Sequence, residues 1–469
     1  MGEIKFGTDG WRAIIAEDFT FANLARVAQA TASVWKRQRI AGAERRVVIG
    51  YDRRFLSEDF ARLSAEVLGA NGFEVLLSDS AVPTPAVSYQ VKATRSIGGI
   101  MITASHNPPK FNGFKIKGHF GGSASGDFCQ KVEAALDRTA VKRMPLPENK
   151  KIKIKDLTRS YYRRLKKLVD FPLIAASNAR FAHDALFGVG AGCFDQLLAD
   201  TSCQVTTLRG DVNPGFGGIN PEPVAANYGA STEYLRHHPH DICLVTDGDA
   251  DRVGGMDGDG RPLTTHQLIC LLLRHLVVNR QGTGRVVKAL TTTSMVDKMC
   301  DAYGLPLLET GVGFKYICAE MIKGDVLLGA EESGGIGFPG HVPERDGILA
   351  GLMLLEMLAK DKQTVTQLLN GLEKEFGPHC YARLDGHFPL EKRAELMDYC
   401  ANHSPKALAG STVAEVKSFD GVKFVAKNGA WLMLRGSGTE PVLRIYAEAD
   451  SDAKAQKLLK LGLALTKKV

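Results

Sequence analysis

The sequence predicts an α/β protein in which one strand-and-helix unit occurs three times before a C-terminal α+β domain of a different pattern. Each repeat begins with an apolar strand, continues through a helix and a second strand, and ends with a buried strand that runs into a polar loop. Strands that alternate with helices predict crossover connections, mixed and largely parallel sheets, and helices on both sheet faces. A chain of 469 residues is also too long for one hydrophobic core. The predicted domains are three α/β/α domains at 1–145, 156–255 and 256–372, and an α+β domain at 378–469.

The first repeat begins with an apolar strand and its exit loop at 46–52. A helix at 58–70, a strand at 73–77 and a glycine-bounded strand at 98–102 follow, and the last of these leads to Ser105. The same order of segments recurs in the second repeat at 179–186, 192–199, 203–208 and 241–246, and in the third at 285–290, 294–303, 305–308 and 325–329. Ligands of such open sheets bind outside the carboxyl ends of the strands. We therefore expect the three polar loops to share one cleft.

The last part of the chain departs from this order. Segments typical of sheet strands follow one another without helices between them, at 413–416, 421–425, 430–434 and 442–446. A helix is predicted from about Ser451, and the connection to the preceding repeat lies near 376–378. The sequence therefore predicts a separate α+β domain at the C-terminal end.

The composition is that of an ordinary globular protein. The apolar runs fall well short of the roughly 18 residues that a membrane helix requires, so no membrane span is predicted. The N-terminus lacks the apolar core of a signal peptide. Nine cysteines are scattered along the chain without Cys-x-x-Cys spacing, which is typical of a reduced, cytoplasmic protein.

The formal net charge of +7 is concentrated in a basic segment at 142–167. Such a segment could bind nucleic acid, or it could be a solvated linker that leads into a surface helix. No aromatic platform or known nucleic-acid module accompanies the charges, so we favour the linker and expect no nucleic-acid partner. A mildly positive protein also suits anionic small molecules such as sugar phosphates.

A serine lies at the tip of the strand that ends the first repeat. The segment 103–109 places Ser105 beside His106 and ends in two prolines, which cannot continue a strand because they donate no backbone hydrogen bond. A tight turn is predicted at 112–113, before a second strand at 114–116 that brings Lys115 back towards the serine. The sequence therefore predicts one hydroxyl on a rigid loop, with His106 beside it and Lys115 close enough to fold back.

Three carboxylates follow the strand that ends the second repeat. Asp247, Asp249 and Asp251 occupy alternate positions of a compact loop, where their oxygens can converge on one hard divalent cation such as Mg²⁺. An EF-hand calcium loop is excluded, because Arg252 takes its sixth position and Gly258 its twelfth. The later acidic run at 257–260 is interpreted as a hairpin turn instead.

Two further loops carry groups suited to a sugar phosphate. The loop at 329–335 ends the third repeat, and there Glu331 and Ser333 can form hydrogen bonds with neighbouring sugar hydroxyls. The loop at 435–441 combines a guanidinium, two hydroxyls and backbone amides, which together suit a phosphate dianion. The predicted phosphate ligands are Arg435, Ser437, Gly438 and Thr439.

With these loops the chain resembles the α-D-phosphohexomutase superfamily, in particular bacterial phosphoglucomutase/phosphomannomutase. The similarity covers nearly the whole chain and rests on motifs in the family's order, at 6–12, 103–108, 112–115, 247–252, 331–334 and 435–441. It implies four domains around a central cleft. It also implies that Ser105 is phosphorylated and that Mg²⁺ is held by Asp247, Asp249, Asp251 and a phosphoserine oxygen.

The resemblance further implies the reaction: a hexose 1-phosphate and a hexose 6-phosphate are interconverted through a hexose 1,6-bisphosphate, which also serves as activator. Arg12, Arg252 and Lys115 would add positive charge at the transferring phosphate, and Lys115 or His106 would carry the proton. The partners are small sugar phosphates, and the enzyme would be a monomer or a homodimer.

The sugar is predicted from departures within these motifs. Gly335 stands where enzymes for glucosamine or mannose phosphates often carry His, and Ala330 replaces a usual Gly. The segment from Gly311 to Lys315 resembles the corresponding loop of glucose-directed enzymes. Glucose phosphates are favoured, with mannose phosphates also accepted. The alternatives are a phosphoglucosamine mutase and a metal-dependent sugar-phosphate phosphatase with Ser105 as nucleophile.

Overall fold

The computed structural model describes residues 4–7, 9–436 and 441–469. The chain forms two compact units. The first unit comprises Met1–Gly282 with Gly313–Val365, and the second comprises Thr283–Val312 with Thr366–Val469. In the described part of the chain, none of the helices combines the length and the apolar composition needed to span a bilayer.

The first sheet of the first unit is mixed. Its strands are β1 (Trp11–Ile14), β2 (Glu44–Tyr51), β3 (Glu74–Ser78), β4 (Ser96–Ile102), β5 (Phe111–Gly118) and β6 (Ile152–Lys155), and its helices are α1 (Phe21–Arg37), α2 (Ser57–Ala70), α3 (Thr84–Ala93) and α4 (Gly126–Ala134). The strand order is β1-β5-β4-β2-β3-β6, in which β4, β2, β3 and β6 run parallel to one another. Along β2, Val47 and Ile49 enter one apolar cluster while Val48 enters another. Both faces of the sheet are therefore buried, as parallel strands require.

Two local predictions for this sheet are wrong. The turn expected at Asn112 and Gly113 is absent, because both residues lie inside β5 and pair with β1. The chain turns earlier, where the Phe111 N–H donates to the Pro108 carbonyl at 3.0 Å. The basic segment is not simply a linker either: β6 lies within it and pairs in parallel with β3 at the sheet edge. Charged side chains are common on such edges because they discourage pairing with another chain.

The second sheet also belongs to the first unit. Its elements are α5 (Thr158–Lys166), α6 (Phe171–Ala175), β7 (Arg180–Asp184), α7 (Cys193–Leu198), β8 (Gln204–Leu208), α8 (Gly229–His237), β9 (Ile242–Thr246), β10 (Val253–Asp257) and β11 (Pro262–Leu263). The strand order is β11-β10-β9-β7-β8. The predicted hairpin at 257–260 is confirmed, because β10 and β11 pair in antiparallel fashion on either side of it. The loop between β9 and β10 carries the aspartates.

The third repeat contributes to both units. Its elements are α9 (Thr265–Arg274), β12 (Arg285–Ala289), α10 (Met295–Tyr303), β13 (Leu307–Thr310), α11 (Phe314–Lys323), β14 (Val326–Ala330), β15 (Ile336–Gly337), α12 (Gly347–Asp361) and α13 (Val365–Phe376). In the second unit β12 pairs in parallel with β13. In the first unit β14 pairs in antiparallel fashion with β15, and the Glu331 loop connects them.

The C-terminal sheet of the second unit is antiparallel throughout. Its elements are β16 (Cys380–His387), α14 (Arg393–Asn402), β17 (Ala407–Leu408), β18 (Ser411–Lys417), β19 (Val422–Ala426), β20 (Trp431–Gly436), β21 (Val442–Ala449) and α15 (Asp452–Leu465). The strand order is β16-β21-β20-β19-β18-β17. Apolar residues of β20, β21 and α15, among them Leu432, Ile445 and Leu458, form its core. The predicted α+β domain is confirmed.

Candidate active site

Ser105 lies in the loop that follows β4, with its side chain directed at the aspartate loop. The residue is fully buried and adopts a left-handed conformation with φ of 53°. Its Oγ donates to Asp247 Oδ2 at 2.7 Å, and its backbone N–H donates to Thr103 Oγ1 at 2.8 Å. The loops that end the first and second repeats therefore meet at the serine hydroxyl.

The three aspartates form a compact, fully buried cluster. Asp247, Asp249 and Asp251 each offer a carboxylate oxygen within 4.8 Å of the others. Burial, followed by the charges of the other two aspartates, raises the pKa of Asp247 well above its ordinary value. The Oδ1 atoms of Asp249 and Asp251 are buried without a hydrogen-bond partner among the described residues. Converging carboxylates with two such oxygens fit a hard divalent cation such as Mg²⁺.

Lys115 offsets much of this negative charge. Its Nζ lies 2.8 Å from Asp249 Oδ2, 3.2 Å from Asp251 Oδ2 and 2.9 Å from Asp9 Oδ2, while the side chain is only 1% exposed. Burial alone would lower the pKa of this ammonium group, but the three carboxylates together raise it. Lys115 is therefore a cation in the native protein, with its donors directed at carboxylates.

His106 has the opposite electrostatic character. Burial, followed by the charges of Arg252 and Arg12, lowers the pKa of its imidazole well below the ordinary value. Its Nδ1 is buried without a hydrogen-bond partner in the part of the chain that the structure describes. His106 is therefore a neutral imidazole near neutral pH, and its surroundings make it a weaker base than a free histidine.

The two predicted arginines contact different partners around the serine loop. Arg12 donates from Nη1 to Asn107 Oδ1 at 2.6 Å, which attaches β1 to that loop. The backbone N–H of Arg252 donates to Asp247 Oδ1 at 3.1 Å, and its Nε lies 3.8 Å from Asp251 Oδ1. Arg12 Nη2 also lies 3.7 Å from Asp9 Oδ2, so each guanidinium group lies close to a carboxylate of this site.

The loop that ends the third repeat joins the same site. Arg252 and Gly335 form an isolated antiparallel bridge, and the Val253 N–H donates to the Gly334 carbonyl at 3.0 Å. In this loop Ser333 Oγ donates to Glu331 Oε1 at 2.8 Å. The three loops that end the repeats therefore meet within the first unit.

The predicted substrate residues of the second unit form a separate group. Arg435 Nε donates to Asp420 Oδ1 at 3.0 Å, and Asp420 Oδ2 accepts the Val312 N–H, next to Gly311, at 2.7 Å. Lys315 belongs to the first unit, where its Nζ lies 5.1 Å from the centre of the Tyr316 ring. Ser437, Gly438 and Thr439 lie outside the described residues.

Comparison with known proteins gives this site its context. Models of phosphoglucomutase/phosphomannomutase α/β/α domains I, II and III match residues 3–143, 159–260 and 264–376, and the model of the C-terminal domain matches residues 392–460. A crystal structure of a Thermus thermophilus protein assigned as a phosphomannomutase is 34% identical, with a TM-score of 0.87 and 99% of each chain covered. The chain belongs to the phosphoglucomutase/phosphomannomutase family. The resemblance to the α-D-phosphohexomutase superfamily, the fold class and the enzyme class are thus confirmed: the protein is an isomerase that transfers phosphoryl groups.

Relatives within this family carry the names of different sugars. A phosphoglucomutase/phosphomannomutase of Thermococcus kodakarensis is 29% identical over 99% of this chain and 98% of its own length. A phosphoglucosamine/phosphogalactosamine mutase of Sulfurisphaera tokodaii is 28% identical over 98% of each. Because the identities are nearly equal, membership of the phosphoglucomutase/phosphomannomutase family does not select one sugar.

Sequence reasoning missed a central cation of this candidate site. Arg345 is buried and donates from Nη2 to Asp9 Oδ2 and Asp251 Oδ2, each at 2.7 Å, and from Nη1 to Glu331 Oε1 at 3.0 Å. It thereby connects the N-terminal motif, the aspartate loop and the sugar loop. No sequence motif marks Arg345, which directly precedes the Asp346 that caps α12.

Proposed function

We propose that the protein is a phosphohexomutase that works through a phosphoserine at Ser105. A phosphoryl group passes from Ser105 to a hexose 1-phosphate or 6-phosphate, and the resulting hexose 1,6-bisphosphate returns its other phosphoryl group to the serine. The observation that carries the proposal is the 2.7 Å contact between Ser105 Oγ and Asp247 Oδ2 in a fully buried carboxylate cluster. The proposal is supported because the candidate nucleophile lies beside the candidate metal ligands.

Asp247, Asp249, Asp251 and a phosphoserine oxygen would hold Mg²⁺, which supplies positive charge that stabilises the transferring phosphoryl group. The protein's own cations act on the same group. Lys115 remains charged among the carboxylates, and Arg252 Nε is buried without a hydrogen-bond partner in the described residues, so it is available to a phosphate oxygen. Such preorganised charge is worth most in a site from which water is excluded.

Each transfer breaks one P–O bond, forms another and moves one proton. When Ser105 gives up its phosphoryl group, the P–Oγ bond breaks while a bond from phosphorus to the sugar oxygen forms. The sugar hydroxyl loses a proton and the serine oxygen gains one. The candidate carriers of this proton are His106 and Lys115, as the family resemblance implies.

We assign the sugar hydroxyls to Glu331 and Ser333. In the described part of the chain, the side-chain hydrogen bonds to Glu331, from Arg345 and Ser333, both end on Oε1, which leaves Oε2 for a sugar hydroxyl. Arg435 opens the loop that would bind the phosphate that is not reacting. Ser437, Gly438 and Thr439 would complete that loop, while Gly311 and Lys315 would contact the substrate. Glucose phosphates are the favoured substrates, with mannose phosphates also accepted.

The Ser105→Ala variant tests the covalent route. We expect it to melt at the wild-type temperature, to carry no phosphoserine by mass spectrometry and to lose all mutase activity, because no other residue is assigned as phosphoryl carrier. Substantial residual mutase activity would contradict the proposal.

The sugar is tested on the wild-type enzyme, with Mg²⁺ and a hexose 1,6-bisphosphate activator present. We expect the highest kcat/KM for glucose 1-phosphate, a lower value for mannose 1-phosphate and the lowest for glucosamine 1-phosphate. A preference for glucosamine 1-phosphate would make the protein a phosphoglucosamine mutase. Release of inorganic phosphate without any 6-phosphate would make it a phosphatase.

A further inference from the structure

Arg54 lies beneath the serine loop, in the connection between β2 and α2. Its side chain is fully buried. Its Nη2 donates to the carbonyls of Ser105 at 2.6 Å and Asn107 at 2.7 Å, and its Nη1 donates to those of Pro108 at 2.9 Å and Phe111 at 3.0 Å. One guanidinium group therefore holds three backbone carbonyls of the loop that carries the nucleophile, and the carbonyl of Phe111, with which β5 begins.

Asp52 fixes this arginine and the start of the loop together. Asp52 Oδ2 lies 3.2 Å from Arg54 Nε and accepts from Thr103 Oγ1 at 2.6 Å. Thr103 Oγ1 in turn accepts the Ser105 N–H at 2.8 Å. On its other oxygen Asp52 accepts from Ser57 Oγ at 2.7 Å, at the start of α2. The arginine, the carboxylate and the loop backbone thus form one connected hydrogen-bonded network.

The serine backbone needs such support. Ser105 adopts a left-handed φ of 53°, which residues with a side chain rarely take and which persists only when the surroundings enforce it. The planar guanidinium has five donors in a rigid fork, whereas a lysine ammonium directs its three donors from a single point. The hydrogen bonds of Arg54 end on backbone carbonyls rather than on Ser105 Oγ, so it acts on the chemistry only through the loop.

We propose that Arg54 is a positioning residue that fixes the backbone of the Ser105 loop, so that the phosphorylated Oγ keeps one orientation through both phosphoryl transfers. This inference rests on the proposed function of Ser105. A positioning role and a purely structural role predict different effects of a substitution at Arg54. A positioning residue changes the rate of transfer in folded enzyme, while a structural residue changes only the folded fraction.

The test compares Arg54→Lys with Arg53→Lys as a matched control. Arg53 is the preceding residue, and its Nη1 donates to the Gly210 carbonyl at 2.8 Å instead of to the serine loop. Each enzyme is purified as phosphoenzyme, its phosphoserine content is measured by mass spectrometry, and the rate of a single phosphoryl transfer to glucose 1-phosphate is expressed per phosphoserine.

We expect Arg54→Lys to slow this transfer about 10²-fold, the effect of misplacing a reacting group by about 1 Å. The KM for glucose 1-phosphate should change much less, because Arg54 is not assigned a substrate contact. Arg53→Lys should transfer at the wild-type rate. If Arg54→Lys lowers the melting temperature but transfers at the wild-type rate, the inference is wrong.

A second variant applies if Arg54→Lys does not fold. Asp52→Asn keeps the shape of the side chain but removes the charge that holds the arginine, and we expect it to slow transfer in the same direction with little change in KM. A wild-type rate in folded Asp52→Asn would likewise overturn the inference. The proposed function is tested separately on the wild-type enzyme, by measuring the phosphoserine at Ser105. If the wild type carries no phosphoserine there, the proposed function is wrong, and so is this inference, which rests on it.

Discussion

Replacing Lys115 by Met removes the ammonium group that contacts three carboxylates of the buried site. In the native protein Nζ lies within 3.2 Å of Asp249 and Asp251 and 2.9 Å from Asp9. Methionine keeps most of the apolar stem of the lysine, so the packing within β5 is largely retained. The main effect of the Lys115→Met substitution is therefore electrostatic: two buried carboxylates and the partly buried Asp9 lose a shared counter-charge.

The magnitude follows from the burial of the pair. Removing one partner of a buried ion pair costs ~3–5 kcal/mol of stability. We expect the upper part of that range without divalent cations, because Lys115 serves three carboxylates. Mg²⁺ can replace part of the lost charge in the variant, and a cation that binds only the native state adds ~2.7 kcal/mol at 100 times its Kd. Its affinity for the variant should exceed that for the wild type, in which Lys115 competes with Mg²⁺ for the aspartates.

The assay is urea unfolding at neutral pH, with EDTA and with increasing Mg²⁺. In EDTA, the free energy of unfolding of Lys115→Met should lie below that of the wild type by more than Mg²⁺ adds to the wild type. As the Mg²⁺ concentration rises, the free energy of unfolding should increase more in Lys115→Met than in the wild type. Lys117→Met is the matched control, because Lys117 is buried in the same strand but pairs with Glu344. The stability that Lys117→Met loses relative to the wild type should therefore not depend on the Mg²⁺ concentration. Equal Mg²⁺ increments in Lys115→Met and the wild type would refute the reasoning.

Two further predictions concern other parts of the molecule. Asp420→Ala removes the acceptor that holds Arg435 and the Val312 amide, and should raise the KM for glucose 1-phosphate about tenfold, the value of one charge-assisted hydrogen bond, while the phosphoserine content stays unchanged. Burial lowers the pKa of His183 from 6.5 to about 4, so below pH 6.5 the unfolded chain binds a proton that the native protein does not. Stability should therefore fall by ~3 kcal/mol as the pH drops from 6.5 to 4, and urea midpoints should show a shallower fall for His183→Gln.

Much of the fold could be predicted because its signals are local. The apolar runs that form β4 and β9 are short and bounded by turn residues, and each is followed by the polar loop that supplies the site. The prediction of a turn at Asn112 and Gly113 was wrong because the structure there is decided by a long-range contact. Its dipeptide is typical of a hairpin, but pairing with β1, far earlier in the chain, extends β5 through it. A Cβ on Gly113 would lie 2.4 Å from the Thr103 carbonyl oxygen, so the glycine serves close packing rather than a turn.

One counter-charge of the site, Arg345, was not predicted from the sequence, whereas Lys115, Arg12 and Arg252 were. Asp247, Asp249 and Asp251 are adjacent in sequence, so their convergence could be predicted from spacing alone. Arg345 comes from a distant segment without a recognisable motif, whereas Lys115 and Arg252 lie inside motifs that mark them. Physical reasoning still implies that such cations exist, because three buried carboxylates repel one another unless positive charge lies close by. A sequence that predicts a buried acidic cluster therefore also predicts buried cations. Lys115 was assigned from its motif, and the structure adds Arg345, whose position no motif marks.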